Sequence, residues 1–194
     1  MLNPSDVSVV IPTRGDHPEG INRILYSLNM IGFNDIVIYD NSKEEKSRGV
    51  LSRYLGALQA EKQIIYTQDD DCEVSHNTIR QLLDQYVPGE LILAMPENHG
   101  DYIDSGLVGW GAIYEAILPF KAFGEFKRKF EISDEVLYKT CDVIFTTLTP
   151  FKRIVGYHES FDYAYGTDRM YHQNSHDSER QMILELARKV RDSQ

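Results

Sequence analysis

Residues 63–73, QIIYTQDDDCE, contain a short apolar run that is expected to form a buried strand, followed by three consecutive aspartates at 69–71. Residues 64–66 are apolar and favour a strand, and a helix-like segment begins near residue 76. Three adjacent carboxylates repel one another, so they become tolerable where a divalent cation or a set of ordered donors lies among them. Because ligands bind at the carboxyl ends of strands in open α/β sheets, the segment predicts a ligand or metal site at this strand tip.

Strands and amphipathic helices alternate through the first half of the chain. Strands are predicted at residues 7–11, 36–39, 64–66 and 91–95, and helices at about 18–30, 44–59 (with Val50, Leu51, Tyr54, Leu55 and Leu58 inward) and 76–86. Short links between them imply parallel strands with right-handed crossovers. The carboxyl ends then open on one edge, so we expect the loops at 12–16, 40–42 and 69–71 to face one cleft of nucleotide size.

The pattern changes after residue 96. Residues 107–113 are predicted to form a strand whose glycines let the backbone approach a ligand. Residues 120–130 mix aromatic and basic side chains and could form a flexible loop. The remaining expectations are a helix over about 134–148, a short strand over 153–157, a loop over 158–174, and a final helix capped by Ser175.

Length and composition favour one globular domain over residues 1–194. No apolar run approaches the roughly 20 residues that a membrane-spanning helix needs. The first ten residues lack the basic start and apolar run of a signal peptide, so a cytoplasmic protein is expected. The two cysteines, Cys72 and Cys141, fit reduced buried thiols in that compartment.

The formal net charge of −10 argues against a general nucleic-acid binder, which usually carries a basic surface. The same charge repels a phosphorylated ligand. Such a ligand therefore needs a metal ion or a few basic groups at its site.

Three segments together resemble the nucleotide-binding half of GT-A glycosyltransferases of the family-two-like type. They are VSVVIPTRG at 7–15, IVIYDNS at 36–42 and IIYTQDDD at 64–71. In that family a first strand ends in Pro-Thr, an Asp follows the second strand, and a D-x-D metal motif follows a later one. In the other half, GLVGWGAIY at 106–114 resembles the strand that lines the sugar pocket, and CDVIFTTL at 141–148 resembles the acidic helix of these enzymes, including the exostosin-like members.

The resemblance implies a single-domain GT-A (Rossmann-like) α/β fold, with a mostly parallel sheet flanked by helices and a C-terminal helix. Residues 1–100 would bind the nucleotide sugar and residues 101–194 the acceptor. The implied activity is transfer of a sugar from a UDP- or GDP-sugar to an acceptor hydroxyl. Mn²⁺ or Mg²⁺ is the implied cofactor, since a divalent cation neutralises the diphosphate leaving group as a Lewis acid.

The resemblance also assigns candidate residues. Residues expected to contact the nucleotide sugar are Pro12, Thr13, Arg14, Asp40, Asn41, Asp69, Asp70, Trp110 and Arg180. Asp71 is the expected metal ligand, with His176 or His172 as a second. Asp142 is the expected general base toward the acceptor, with Asp134 and Glu135 as weaker rivals.

Two other functions stay open. One is a nucleotidyltransferase acting on a sugar phosphate, although residues 12–16 are a poor version of the Gly-rich basic loop that such enzymes usually carry. The other is a non-catalytic module that binds nucleotide sugars, although Asp71 and Asp142 are both present.

Overall fold

The computed structural model describes residues 2–15, 18–43, 48–95, 105–161 and 176–193. The strands in these ranges are β1 (Val7–Thr13), β2 (Asp35–Asp40), β3 (Ile64–Thr67), β4 (Cys72–Val74), β5 (Leu91–Met95), β6 (Ala112–Glu115), β7 (Phe151–Val155) and β8 (His158–Ser160). The α-helices are α1 (Pro18–Ile31), α2 (Ser52–Ala57), α3 (His76–Gln85), α4 (Leu118–Lys129), α5 (Asp134–Leu148) and α6 (His176–Arg191). None of these helices is both long and apolar enough to cross a bilayer.

Six strands form one sheet in the order β2-β1-β3-β6-β5-β7. β1 lies parallel to both β2 and β3, and β5 lies parallel to β7. The predicted mostly parallel sheet is therefore confirmed. β6 departs from the parallel pattern, because it runs antiparallel between β3 and β5 and so joins the later part of the chain to the first three strands.

Two apolar clusters, one on each face of the sheet, form the core. The alternation of β1 shows the division, since Val9 and Ile11 pack with α1 and α3 while Val10 packs with α2, α4, α5 and α6. Val9, Val10 and Ile11 are all fully buried. Burial on both faces explains why β1 reads as a continuous β-branched run rather than an alternating one.

Several helix boundaries agree with the sequence pattern. α1 ends where Gly32 takes a φ of +106°, a conformation that glycine adopts at low cost. Ser75 caps α3 and Ser133 caps α5, each accepting the N–H three residues on. α5 spans the predicted 134–148.

Other elements correct the sequence predictions. Residues 120–130 are mostly helix α4 rather than a flexible loop, because Phe123 and Phe126 are buried against α5 and the sheet. The predicted strand at 107–113 is a 3₁₀ turn (Val108–Trp110) followed by β6. Leu58 is 66% exposed rather than inward, since α2 ends one residue before it. β8 lies inside the stretch predicted to be a loop and pairs antiparallel with β4.

Candidate functional site

The carboxyl ends of β2, β1 and β3 open on one edge of the sheet. Thr13 at the end of β1 pairs with Asp40 at the end of β2. The pairing of β3 with β1 ends at Thr67, which lies opposite Val10. Beyond β1, Gly15 takes a φ of +78° and approaches the β2 tip, where an added Cβ would meet Ser42 Oγ at 3.2 Å. The structure therefore brings together the strand tips that the sequence pattern places at one edge.

The β2 tip is built around the Asp40 carboxylate. Its Oδ1 accepts the Ser42 N–H at 3.0 Å and the Ser42 hydroxyl at 2.5 Å, and Lys43 Nζ lies 3.1 Å from Oδ2. The Ser42 hydroxyl, followed by Lys43, lowers the pKa of Asp40. Asp40 is thus a fixed, ionised acceptor, the chemistry required for the predicted contact to a base N–H.

Thr13 and Asn41 are buried and shape the tips. Thr13 Oγ1 accepts the Gly15 N–H at 2.9 Å, and Asn41 Oδ1 accepts the Arg48 N–H at 3.0 Å. Arg14 is exposed and Pro12 is half-buried, both at the end of β1. The site roles predicted for these four residues stay predictions.

The three aspartates follow β3 and are all half-buried. The Asp69 N–H donates to the Gly109 carbonyl at 2.8 Å, and the Asp71 carbonyl accepts the Phe161 N–H at 2.9 Å. Between β3 and the triplet, Gln68 is 1% exposed and donates to the Cys72 carbonyl at 2.7 Å. Backbone bonds to two separate segments, together with the Gln68 side chain that spans the turn, therefore fix the path of the acidic turn.

The sequence reasoning missed Arg53. This side chain on α2 is 3% exposed, and its guanidinium joins two carboxylates: Nη2 lies 2.5 Å from Asp69 Oδ1, and Nη1 lies 2.7 Å from Asp142 Oδ2. Burial alone would lower the pKa of Arg53, but attraction from Asp142 and then Asp69 raises it well above its ordinary value. A signal was present, because Arg53 is the only charged residue between positions 49 and 60 of an otherwise mostly apolar segment.

Asp142 lies on α5 and is 7% exposed, so it is not a surface carboxylate. Oδ2 accepts from Arg53, and Oδ1 accepts the Tyr54 hydroxyl at 2.6 Å. Burial, followed by Asp142, raises the pKa of Tyr54 well above its ordinary value, so that hydroxyl remains a donor. Each carboxylate oxygen thus accepts one strong bond, and burial limits the access of an acceptor hydroxyl to the lone pairs that remain.

Trp110 follows Gly109, whose carbonyl holds Asp69, so it stands beside the acidic turn. Its ring stacks on His158 with centroids 4.5 Å apart and an interplanar angle of 27°. Trp110 is half-buried and packs against the cluster that contains β1 and α3. The ring therefore has a fixed orientation, which a platform for a sugar face requires.

The remaining predicted residues lie at or before α6. His176 begins this helix, Arg180 is half-buried on it, and His172 lies outside the described residues. The first turns of α6 are tied to α5, where Lys139 Nζ is 3.6 Å from Glu179. Contacts of Arg180, His176 and His172 with a ligand stay predictions.

The described residues do not form a complete metal cage, since no three His, Cys, Asp or Glu side chains among them gather around one point. The donor chemistry at the β3 tip is nevertheless that of hard carboxylate oxygens, which suit Mn²⁺ or Mg²⁺. Asp69 already pairs with Arg53, which leaves Asp71 as the better candidate ligand of the two. The residues thus fit an ion held by one or two protein groups and completed by a diphosphate.

The two cysteines are inert. Burial raises the pKa of both Cys72 and Cys141 well above the ordinary value, so the thiolates needed for nucleophilic attack are scarce at neutral pH. This agrees with the sequence interpretation of both as small buried apolar groups.

Comparison with known proteins shows likeness in structure only. No protein-family model and no curated protein matches the sequence. S. aureus TarS in complex with UDP-GlcNAc aligns over 83% of this chain and 60% of its own, with 13% identity and a TM-score of 0.51. A Drosophila β1,4-galactosyltransferase 7 in complex with manganese, UDP-Gal and xylobiose aligns over 90% and 79%, with 14% identity and a TM-score of 0.51.

A third structure is a nucleotidyltransferase. The inositol-1-phosphate CTP transferase from T. maritima aligns over 99% of this chain and 98% of its own, with 13% identity and a TM-score of 0.54. Likeness to exostosin-like members stays a prediction. These alignments show that the chain has a GT-A-like α/β fold, and its six-stranded, mostly parallel sheet is flanked by helices.

Proposed function

We propose that the protein is a metal-dependent glycosyltransferase that moves a sugar from a UDP- or GDP-sugar to an acceptor hydroxyl. One observation carries the proposal: the Asp69–Asp71 turn at the carboxyl end of β3 is bonded to the Gly109 carbonyl, next to Trp110 in the chain, on the same edge as the tips of β1 and β2. This edge offers carboxylates for a metal, polar groups for a nucleotide and an aromatic ring for a sugar.

Charge explains why a metal belongs in the proposal. The chain carries a formal net charge of −10, and the acidic turn adds local negative potential that opposes a diphosphate. A divalent ion between Asp71 and the diphosphate removes this repulsion. When bound, it would also act as a Lewis acid toward the leaving group.

The other groups at this edge have separate proposed roles. Asp40 accepts an N–H of the base, and Asp69, held by Arg53, accepts a ribose hydroxyl. Thr13 and Asn41 set the backbone path around the base, and Trp110 supports one face of the sugar. TarS was solved in complex with UDP-GlcNAc and the galactosyltransferase in complex with UDP-Gal, which supports a donor of this class for the shared fold.

A second function, nucleotidyl transfer to a sugar phosphate, has one observation in its favour. The T. maritima CTP transferase aligns with nearly the whole of both chains. The β1 tip argues against it, because in the described part of this turn, which ends at residue 15, Arg14 is the one basic residue and Gly15 the one glycine. A triphosphate substrate needs more cationic and backbone N–H donors than this turn supplies.

Ligand-dependent stability separates the two functions. We expect UDP- or GDP-sugars with Mn²⁺ to raise the unfolding temperature, since a ligand at 100 times its Kd adds about 2.7 kcal/mol of stability. Release of UDP or GDP in the presence of a hydroxyl acceptor then identifies the reaction. Stabilisation by CTP or another triphosphate, with no response to any nucleotide sugar, would reject the glycosyltransferase in favour of the nucleotidyltransferase.

A further inference from the structure

One face of α5 contacts the segments that carry two strand tips. Tyr138 and Asp142 are four residues apart, so they lie on the same side of this helix. Each one contacts an arginine from the chain between β2 and β3: Tyr138 contacts Arg48, and Asp142 contacts Arg53. The two arginines in turn connect to different tips at the edge of the sheet.

The first connection reaches the end of β2. The Arg48 guanidinium lies over the Tyr138 ring, 5.3 Å from its centroid, and donates to the Tyr138 hydroxyl. The Arg48 backbone N–H donates to Asn41 Oδ1 at 3.0 Å. Tyr138 therefore holds the segment that fixes Asn41, the residue directly after Asp40.

The second connection reaches the end of β3. Asp142 and Asp69 bind different nitrogens of the same guanidinium, at 2.7 Å and 2.5 Å. Because Arg53 is almost fully buried and its fork is planar, two carboxylate partners fix its orientation. The Tyr54 hydroxyl, at 2.6 Å, fixes Asp142 in turn. The position of Asp69 thus depends on a carboxylate from another helix, 73 positions along the chain.

We propose that Asp142 is a positioning residue of the donor site: acting through Arg53, it fixes Asp69 at the tip of β3. Together, the contacts of Asp142 and Tyr138 make α5 the helix that holds the tips of β3 and β2 in position. The inference rests on the proposed function of that edge. In this inference Asp142 supports donor binding and does not serve as the general base.

Donor affinity distinguishes positioning from base catalysis. Calorimetric titration with UDP or GDP and Mn²⁺ should show a Kd that is weaker by roughly tenfold or more in Asp142→Asn, as is usual for residues that orient a ligand's contacts. Arg53→Lys keeps the charge but loses the fork, so it should reproduce this weakening. Glu185→Gln, which removes an exposed carboxylate on α6, is the matched control and should bind like the wild type.

A base role gives the opposite result. An unchanged Kd in Asp142→Asn, together with a loss of turnover and of the acidic limb of the pH–rate profile, would overturn the inference. Should Asp142→Asn not fold, Tyr54→Phe is the second variant. It leaves the buried charges in place and removes one bond to Asp142, so it should weaken the Kd to a smaller degree.

A test without ligand separates this inference from the proposed function. Each single variant, Asp69→Asn or Asp142→Asn, leaves Arg53 with one carboxylate partner. The double variant leaves the buried guanidinium with neither carboxylate. Urea unfolding of the double variant should therefore show a loss that exceeds the sum of the two single losses. Additive losses would overturn the coupling through Arg53. Failure of the wild type to bind any nucleotide diphosphate would instead reject the proposed function.

Discussion

The carboxylate of Asp69 lies so close to Gly109 that a Cβ at that position would come within 1.9 Å of Oδ2. The Asp69 N–H also donates to the Gly109 carbonyl. The two residues are far apart in the chain, but they meet because Asp69 follows β3 and Gly109 precedes β6, the strand that pairs antiparallel with β3. Only a residue without a side chain allows the acidic turn to settle on this backbone.

Replacement of this glycine should therefore displace the acidic turn. We expect Gly109→Ala to weaken binding of UDP or GDP with Mn²⁺ by about tenfold, because Asp69 must shift away from the new methyl group and from Arg53. Calorimetric titration measures the change.

The matched control is Gly124→Ala on α4, where an added Cβ meets nothing within 4 Å. This variant should bind as the wild type does. Its free energy of unfolding should be about 0.5–1 kcal/mol higher, because alanine is the better helix former. Equal affinities of the two variants would show that the contact between Asp69 and Gly109 has no part in binding.

Asp71 should carry the metal dependence of nucleotide binding. In the wild type we expect Mn²⁺ to strengthen the binding of UDP or GDP. Asp71→Asn removes a charged ligand and should abolish most of that gain, roughly tenfold or more in Kd. Asp84→Asn, an exposed carboxylate on α3, serves as the control for charge. A metal effect of the same size in Asp71→Asn would show that the ion binds elsewhere.

Arg53 should be important for stability as well as for the site. Arg53→Met leaves Asp69 and Asp142 without their shared cation, and the cost of such a loss at a buried pair is about 3–5 kcal/mol. Urea unfolding of variant and wild type at neutral pH measures this loss. A loss of less than about 1 kcal/mol would show that the two carboxylates do not depend on Arg53 in the folded state.

Tyr86 should make the stability of the fold decrease as the pH becomes alkaline. Burial, followed by the nearby Glu115, raises the pKa of Tyr86 to about 12. In the unfolded chain the hydroxyl ionises near its ordinary value, about 10, so the unfolded state loses its proton first. The contribution of protonated Tyr86 to the free energy of unfolding is therefore fully present below pH 10 and is lost as the pH rises toward 12. Urea midpoints over this interval should fall less steeply in Tyr86→Phe than in the wild type, and equal slopes would refute the assignment.

The fluorescence of Trp110 should report the sugar rather than the nucleotide. Trp110 is the only tryptophan in the chain, and it stacks on His158 beside the acidic turn. A nucleotide sugar should change its emission more than the corresponding nucleotide diphosphate does. Trp110→Phe should lower affinity for the sugar conjugate by more than for UDP or GDP. Equal losses for both ligands would place the ring away from the sugar.

The sequence pattern predicts the elements whose environment is uniform along their length. β1 is buried on both faces, and its β-branched run shows this directly. α5 carries its large apolar residues at helical spacing, although residues 140–147 are buried on all sides, and its predicted bounds agree with the structure. α4 was missed because aromatic and basic residues alternate irregularly in it, and only contact with α5 and the sheet buries Phe123 and Phe126.

At the candidate site, the sequence pattern predicts that acidic and polar groups end the first three strands, and parallel β–α units require those ends to share one edge. The contacts that hold those groups in place become visible only in the folded chain. In the sequence Arg53 is a lone charge in a mostly apolar segment and Asp142 a candidate base, and only the fold shows that the two are buried together as a pair. Local periodicity reports which side of an element faces inward, whereas the pairing of buried charges depends on contacts between residues far apart in the chain.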